Sequence, residues 1–241
     1  MTLEEIIIKG GVAIWPLLFL SVLSLGTILE RLWFWSQVLL QEKTIIDRVT
    51  EAATLNWDLV AKIAREYRKH PLGNFIYSPL QLDEPEPEVF HLALEAAADE
   101  ELAKMRKGEK ILEVIVALSP LLGLFGTVLG LIKALGSIRI SDLAGSSASG
   151  VSSGIGESLI STAVGLLVAI ITLSFYRLFQ ALWAKRVRIF RKIGSQLEVL
   201  YRQKWFAEEE LEDRTEIQED ITKIQEDKFG FESKLSKNPN R

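Results

Sequence analysis

The sequence predicts an all-α, polytopic membrane protein with three transmembrane helices, its N-terminus outside and its C-terminus inside, extended into a large cytoplasmic helical region. Three observations predict it. First, 48% of the 241 residues are hydrophobic and 25% are charged, with a mean hydropathy of +0.19, so apolar and charged residues must be segregated along the chain. Second, three runs carry no charge at all: residues 12–29, 114–132 and 158–176, of 18, 19 and 19 residues. At ~1.5 Å per residue, 19 residues cover roughly 28 Å, close to the ~30 Å hydrocarbon thickness of a bilayer. Third, Lys and Arg are divided very unequally among the loops, which sets orientation. Three buried helices of a soluble protein are the competing arrangement, but core helices are commonly shorter and keep a polar outer face.

The elements follow in order. Residues 1–11 form a short N-terminus on the outer side, periplasmic on the resemblance given below, and 12–35 the first span. A cleaved secretory signal is the other reading of this segment. It fits badly, because the leader carries Glu4, Glu5 and Lys9 in place of a basic region, and Glu30-Arg31 follows the apolar run where a small-residue cleavage site belongs. Residues 36–110 make a cytoplasmic helical domain. From Arg31 to Lys110 stand eleven Lys/Arg, with Lys104, Arg106, Lys107 and Lys110 clustered before the second span. Apolar positions at helical spacing (Ile45, Val49, Ala52, Val60, Ile63) predict a helix over 41–69, broken at 70–74 by His70-Pro71 and Gly73. A second breaker with Pro85 and Pro87 precedes a helical run over 89–110 that continues into the second span, 111–135.

Residues 136–156 form an outer loop, periplasmic on the same resemblance, whose only cation beyond the second span's end is Arg139. Lys133 snorkels from that end to the surface. The third span, 157–180, runs on as a cytoplasmic helix extension over 181–207. It carries Arg177, Lys185, Arg186, Arg188, Arg191 and Lys192 without one acid among them. Of these, Lys185, Arg186, Arg188, Arg191 and Lys192 form a basic patch suited to anionic lipid headgroups; fixing topology is its simpler role. Residues 208–241 read as an acidic tail, a solvated helix fading into disorder, with ten acids among residues 208–227.

Much chemistry is excluded. There is no cysteine, hence no disulfide or thiolate site. His70 and His91 are too few for a His-built zinc centre, and no GxxxxGK[ST] loop holds a nucleotide. A net charge of −4 argues against a nucleic-acid partner. The sequence therefore predicts no enzyme, no cofactor and no metal.

What remains are two faces of small residues. The second span places Ser119, Gly123, Gly126, Thr127, Gly130 and Ala134 at spacings of three and four, and the third does the same with Ser158, Ser161, Thr162, Gly165, Ala169 and Thr172. Helix packing is the commonest use of Gly126-xxx-Gly130, and Gly123, Gly126, Gly130 and Gly165 are assigned to it. The hydroxyls exceed what packing requires and suit a narrow, partly hydrated interior that passes a proton. Thr127, Thr162, Ser158, Ser161 and Glu157 are the candidates for its lining. Glu157, one turn from Ser161, is alternatively a helix N-terminal acid favoured by the dipole. No acid lies in the middle of any span, so a mid-membrane proton carrier has to come from a partner.

The strings PLLGLFGTVLGLIKAL and GIGESLISTAVGLLVAI, with GGVAIWPLLFLSVLSLGTILERLW in the first span, resemble the ExbB/TolQ/MotA family of proton-channel subunits, its ExbB branch most closely. The likeness covers residues 10 to about 201. It implies an inner-membrane motor: five copies form a ring around a dimer of a single-span, ExbD- or TolR-like partner that carries the titrating Asp. A TonB-like transducer would pass the work to outer-membrane import, or, on the TolQ alternative, to envelope maintenance. By the resemblance, Thr127 and Thr162 match the pore-facing threonines and Glu157 the acid of the third span. The chain departs from the family pattern at Ala169-Ile170-Ile171-Thr172, which lacks a proline, and at Lys133. A passive oligomeric scaffold is the alternative of another class.

Overall fold

A computed structural model describes residues 11–136 and 147–236. Every long element is a helix: α1 (Ile14–Ala53), α2 (Trp57–Glu66), α3 (Pro71–Tyr77), a 3-10 turn (Pro79–Gln81), α4 (Pro87–Met105), α5 (Glu109–Gly136) and α6 (Ser147–Ser236). Among the described residues there is no strand. Three helical stretches, Ile14–Ala53, Pro87–Gly136 and Leu159–Thr215, are long and apolar enough to cross a membrane. The chain divides into two bodies, Met1–Lys43 with Glu100–Ile189 and Thr44–Asp99 with Phe190–Arg241.

In the first body, α1, α5 and α6 bury Ile14, Leu17, Ile28, Leu112, Ile115 and Phe179 almost completely. The opposite faces expose Trp15, Phe19, Leu121, Leu124, Leu167 and Ile170 by half or more. A soluble protein rarely tolerates so continuous an apolar surface, whereas a bilayer is its natural solvent.

The helical run over 89–110 does not pass unbroken into the second span. It ends at Met105, and a turn at 106–108 separates α4 from α5. Gly108 causes the break, at φ +81°, where a side chain is strained and where a Cβ would lie 3.1 Å from Thr27 Cγ2 of α1. Arg31 of α1 caps the interruption, its Nη1 donating to the Met105 carbonyl at 3.4 Å. At the far end, α6 already begins at Ser147, inside the segment read as loop, and the acidic segment is helix through Ser236 with its described side chains exposed.

The second body is a small helical cluster with an aromatic core. The helix expected over 41–69 is interrupted after Ala53, and Asn56 restarts it by accepting the Asp58 N–H at 2.7 Å. The break at His70-Pro71 is present. His70 caps α3 by accepting the Leu72 N–H on Nδ1 at 3.2 Å, which fixes Nδ1 as the unprotonated nitrogen, and Pro71 occupies the first turn. Gly73 is required there because a Cβ would collide with the Tyr67 carbonyl. Phe90 and Tyr201 stack at 4.0 Å and 6°, and Trp57 meets both edge-on, at 6.0 and 5.3 Å. Phe75 lies 4.7 Å from Phe190. Such pairs add about 0.5–1.5 kcal/mol each beyond area burial, and they tie α2, α3 and α4 to the C-terminal part of α6.

Candidate functional site

The small faces of α5 and α6 meet each other within one chain. A Cβ on Gly123 would approach the Thr162 Cα to 2.9 Å and the Ser161 carbonyl to 3.0 Å. On Gly165 it would stand 2.5 Å from the Ser119 carbonyl oxygen and 3.1 Å from the Gly123 Cα. Gly126 faces Ser161 and, at 2.8 Å, Ala13 Cβ beside the start of α1. Backbones approach this closely only where side chains are absent, which is the physical use of small-xxx-small spacing.

That proximity organises the hydroxyls. Thr162 Oγ1 donates to the Gly123 carbonyl at 2.9 Å, and buried Ser161 Oγ reaches the same oxygen at 3.3 Å. Thr127 Oγ1 bonds the Leu124 carbonyl at 2.6 Å on its own helix. Thr127 and Thr162 are half-buried, as is Gly130, while Ser161, Gly123, Gly126 and Gly165 are buried. Ser119 Oγ is fully enclosed and has no hydrogen-bond partner among the described residues. Deeper along α6, Thr172 donates to the Val168 carbonyl at 2.7 Å and lies 2.7 Å from Ser24 Oγ of α1. A hydroxyl has one proton, so Ser24 is the donor in that pair. The side chains of Glu157 and Ser158 lie outside the described residues.

The charged ends of the same helices hold a second polar set. Arg186, read as part of a lipid-facing patch, is corrected by the structure: its side chain is 1% exposed and paired with Glu42 of α1, itself 16% exposed. A guanidinium so enclosed has no access to headgroups. Lys185, Arg188, Arg191 and Lys192 are exposed and keep the basic face. The signal was present in the sequence, since Arg186 shares a seven-residue spacing with Thr172, Phe179 and Ile193, all buried. Arg31 is likewise buried, 3.0 Å from Glu30 and 4.8 Å above the Phe34 ring. Buried Glu109 holds Arg106 at 2.7 Å and raises its pKa; Arg106 also lies 5.0 Å from the Trp183 ring centre. Trp183 Nε1 donates to the Leu102 carbonyl at 3.1 Å. Glu100 and Glu101, at 2.7 and 2.8 Å, push Lys104 up to about 12.

The site thus offers ordered hydroxyls on closely apposed helices. Among the described residues it holds no cluster of His, Cys, Asp or Glu able to bind a metal. Residues 67–192, which include the small faces of both helices, match the MotA/TolQ/ExbB proton channel family. An ExbB-like biopolymer transport protein of Synechocystis sp. is 46% identical over 201 residues, 83% of this chain and 79% of the relative. A second such protein from that organism is 34% identical, over 80% of this chain and 92% of its own. Biopolymer transport protein exbB1 of Vibrio cholerae is 30% identical, over 77% and 82%.

Proposed function

This chain belongs to the MotA/TolQ/ExbB proton channel family, and on that premise we propose that it is the ring-forming subunit of an inner-membrane motor that converts proton motive force into mechanical work for outer-membrane import. The observation carrying this reading is that the family match covers α5 and the part of α6 up to residue 192, the two helices whose shared small face presents Thr127 and Thr162 half-buried. The ExbB names of its relatives favour the import branch over envelope maintenance.

On this reading the chain lies with its N-terminus in the periplasm and residues 36–110 and 181–241 in the cytoplasm, the side that the Lys/Arg count selects. Copies of the chain form a ring, five by family resemblance, around a single-span ExbD- or TolR-like dimer. No Asp or Glu stands in the middle of the three uncharged runs, so the titrating carboxylate belongs to the partner. Thr127, Thr162, Ser158, Ser161 and Glu157 supply donors and acceptors along its path. A proton crossing ~100 mV releases about 2.3 kcal/mol, sufficient to bias a ring with two arrangements. A TonB-like transducer carries the work outward. Lys185, Arg188, Arg191 and Lys192 contact anionic headgroups on the cytoplasmic side.

The test begins with the complex purified from its own membranes, which should contain a small second chain with one span and an Asp inside it. Thr162→Val and Glu157→Ala should then assemble normally and lose proton-coupled uptake. Normal uptake by both variants, or a complex of this chain alone, would overturn the proposal.

A further inference from the structure

The second body holds a cavity that the channel reading does not use. It lies between the start of α2, the turn at 82–86 and α6, with a volume of about 540 Å³, inside the ~300–1,000 Å³ range of ligand pockets. Its wall is aromatic: stacked Phe90 and Tyr201, Trp57 edge-on to both, and half-buried Trp205. The Tyr201 hydroxyl is already spent, donating to the Pro85 carbonyl at 2.6 Å, so the ring is left to offer apolar and π surface.

The rim is acidic. Asp58, Asp83, Glu84, Glu208 and Glu209 line it with a single cation, Lys204. That cation is engaged, its Nζ 3.4 Å from Glu208. Asp58, Asp83, Glu84 and Glu209 are exposed and form no ion pair among the described residues. Two rim carboxylates act on the wall: Tyr201 is raised above the usual phenol range, first by burial and then by Glu208 and Glu84.

Aromatic faces beneath uncompensated carboxylates are complementary to organic cations and repel anions. A single small cation leaves most of this rim unneutralised. A peptide carrying several cations at side-chain spacing satisfies the wall and the rim together. We propose that this cavity docks a basic segment of another protein, one Lys or Arg side chain lying against the aromatic wall and further cations meeting Asp83, Glu84 and Glu209.

The test uses the full chain purified with its native complex and a short fluorescent peptide of arginines spaced by glycine and serine, its binding followed by anisotropy. Exposed, unpaired carboxylates can be neutralised without disturbing the fold, so the triple variant Asp83→Asn/Glu84→Gln/Glu209→Gln should bind about tenfold more weakly, at a few tenths of a kcal/mol or more per rim pair. Glu226→Gln/Asp227→Asn, which removes two acids at least seventeen residues beyond Glu209 along the same helix, should bind like the parent. Unchanged affinity in the triple variant, or an equal loss in the tail variant, would overturn the site. Displacement of the peptide by tetramethylammonium at the peptide's own concentration would also overturn it, assigning the cavity to a small cation.

Discussion

Consider an added methyl group at Gly165. Its Cβ would stand 2.5 Å from the Ser119 carbonyl oxygen and 3.1 Å from the Gly123 Cα, about 1 Å inside optimal contact with the nearer atom. Both neighbours are backbone, which no rotamer change can move, so α5 and α6 must separate. Separation by even half of that distance carries the Ser161 bond to the Gly123 carbonyl, now 3.3 Å, beyond hydrogen-bonding range and stretches that of Thr162. Overpacking costs ~1–3 kcal/mol and each interhelical hydrogen bond in a bilayer averages about 0.6 kcal/mol. Alanine's better helix propensity returns up to ~1 kcal/mol. The net is a loss of roughly 2 kcal/mol for Gly165→Ala. Gly26 supplies the contrast: it is helical, exposed, and a Cβ there meets nothing within 4 Å, so Gly26→Ala should be neutral or stabilise by up to ~1 kcal/mol. Dodecyl-sulfate unfolding followed by tryptophan fluorescence measures both. Equal stability of the two variants would refute the close approach of α5 and α6.

Other expectations follow from the same contacts. Arg186→Met strands Glu42 and should cost about 2–4 kcal/mol, less than a fully buried pair because Glu42 keeps some solvent access; adding Glu42→Gln should recover part of the loss, and thermal unfolding of the three proteins decides it. Tyr201 should ionise above the usual phenol pKa of ~10, seen as the alkaline absorbance change missing in Tyr201→Phe. Because its folded pKa is raised, its contribution to stability is complete below ~pH 10 and falls away as pH climbs through the folded value. With no native cysteine to interfere, an impermeant thiol reagent on intact cells should label Ser147→Cys and spare Ser236→Cys, and the reverse pattern would invert the proposed orientation.

The spans were legible because a helix of bilayer length without one charge has no polar face to turn toward water, and the bracketing cations sharpen its ends. The small faces were legible as faces. What they met was not, since spacing says which residues share a side of a helix and nothing of what lies opposite. Gly108 stops α4 through one positive φ angle, and Asn56 restarts a helix through one side-chain hydrogen bond. Single-residue events of that kind are easily lost within an amphipathic pattern continuing on both sides. Arg186 misled for another reason: it sits among cations that are exposed, and only the buried row through Thr172, Phe179 and Ile193 sets it apart.

Packing and a hydrophilic path had stood as rival uses of one small face. The geometry shows the close packing, and on the proposed function the path falls to the threonines beside that contact. Gly123, Gly126, Gly165 and Ser161 are consumed in the contact of α5 with α6. Thr162 stands at the edge of that contact, its hydroxyl tied to the Gly123 carbonyl, and Thr127 lies one turn further along α5, tied to Leu124. A threonine whose proton is committed to a backbone carbonyl still offers its oxygen lone pairs outward. The same close approach that needs glycine therefore fixes the direction in which Thr162 presents an acceptor. On the proposed function, a substitution that loosens the glycines should disturb the partner's titrating carboxylate even though no glycine touches it. Gly165→Ala thus becomes the sharper probe of function as well as of stability: proton-coupled uptake should fall with the helix contact, in a variant that keeps every hydroxyl.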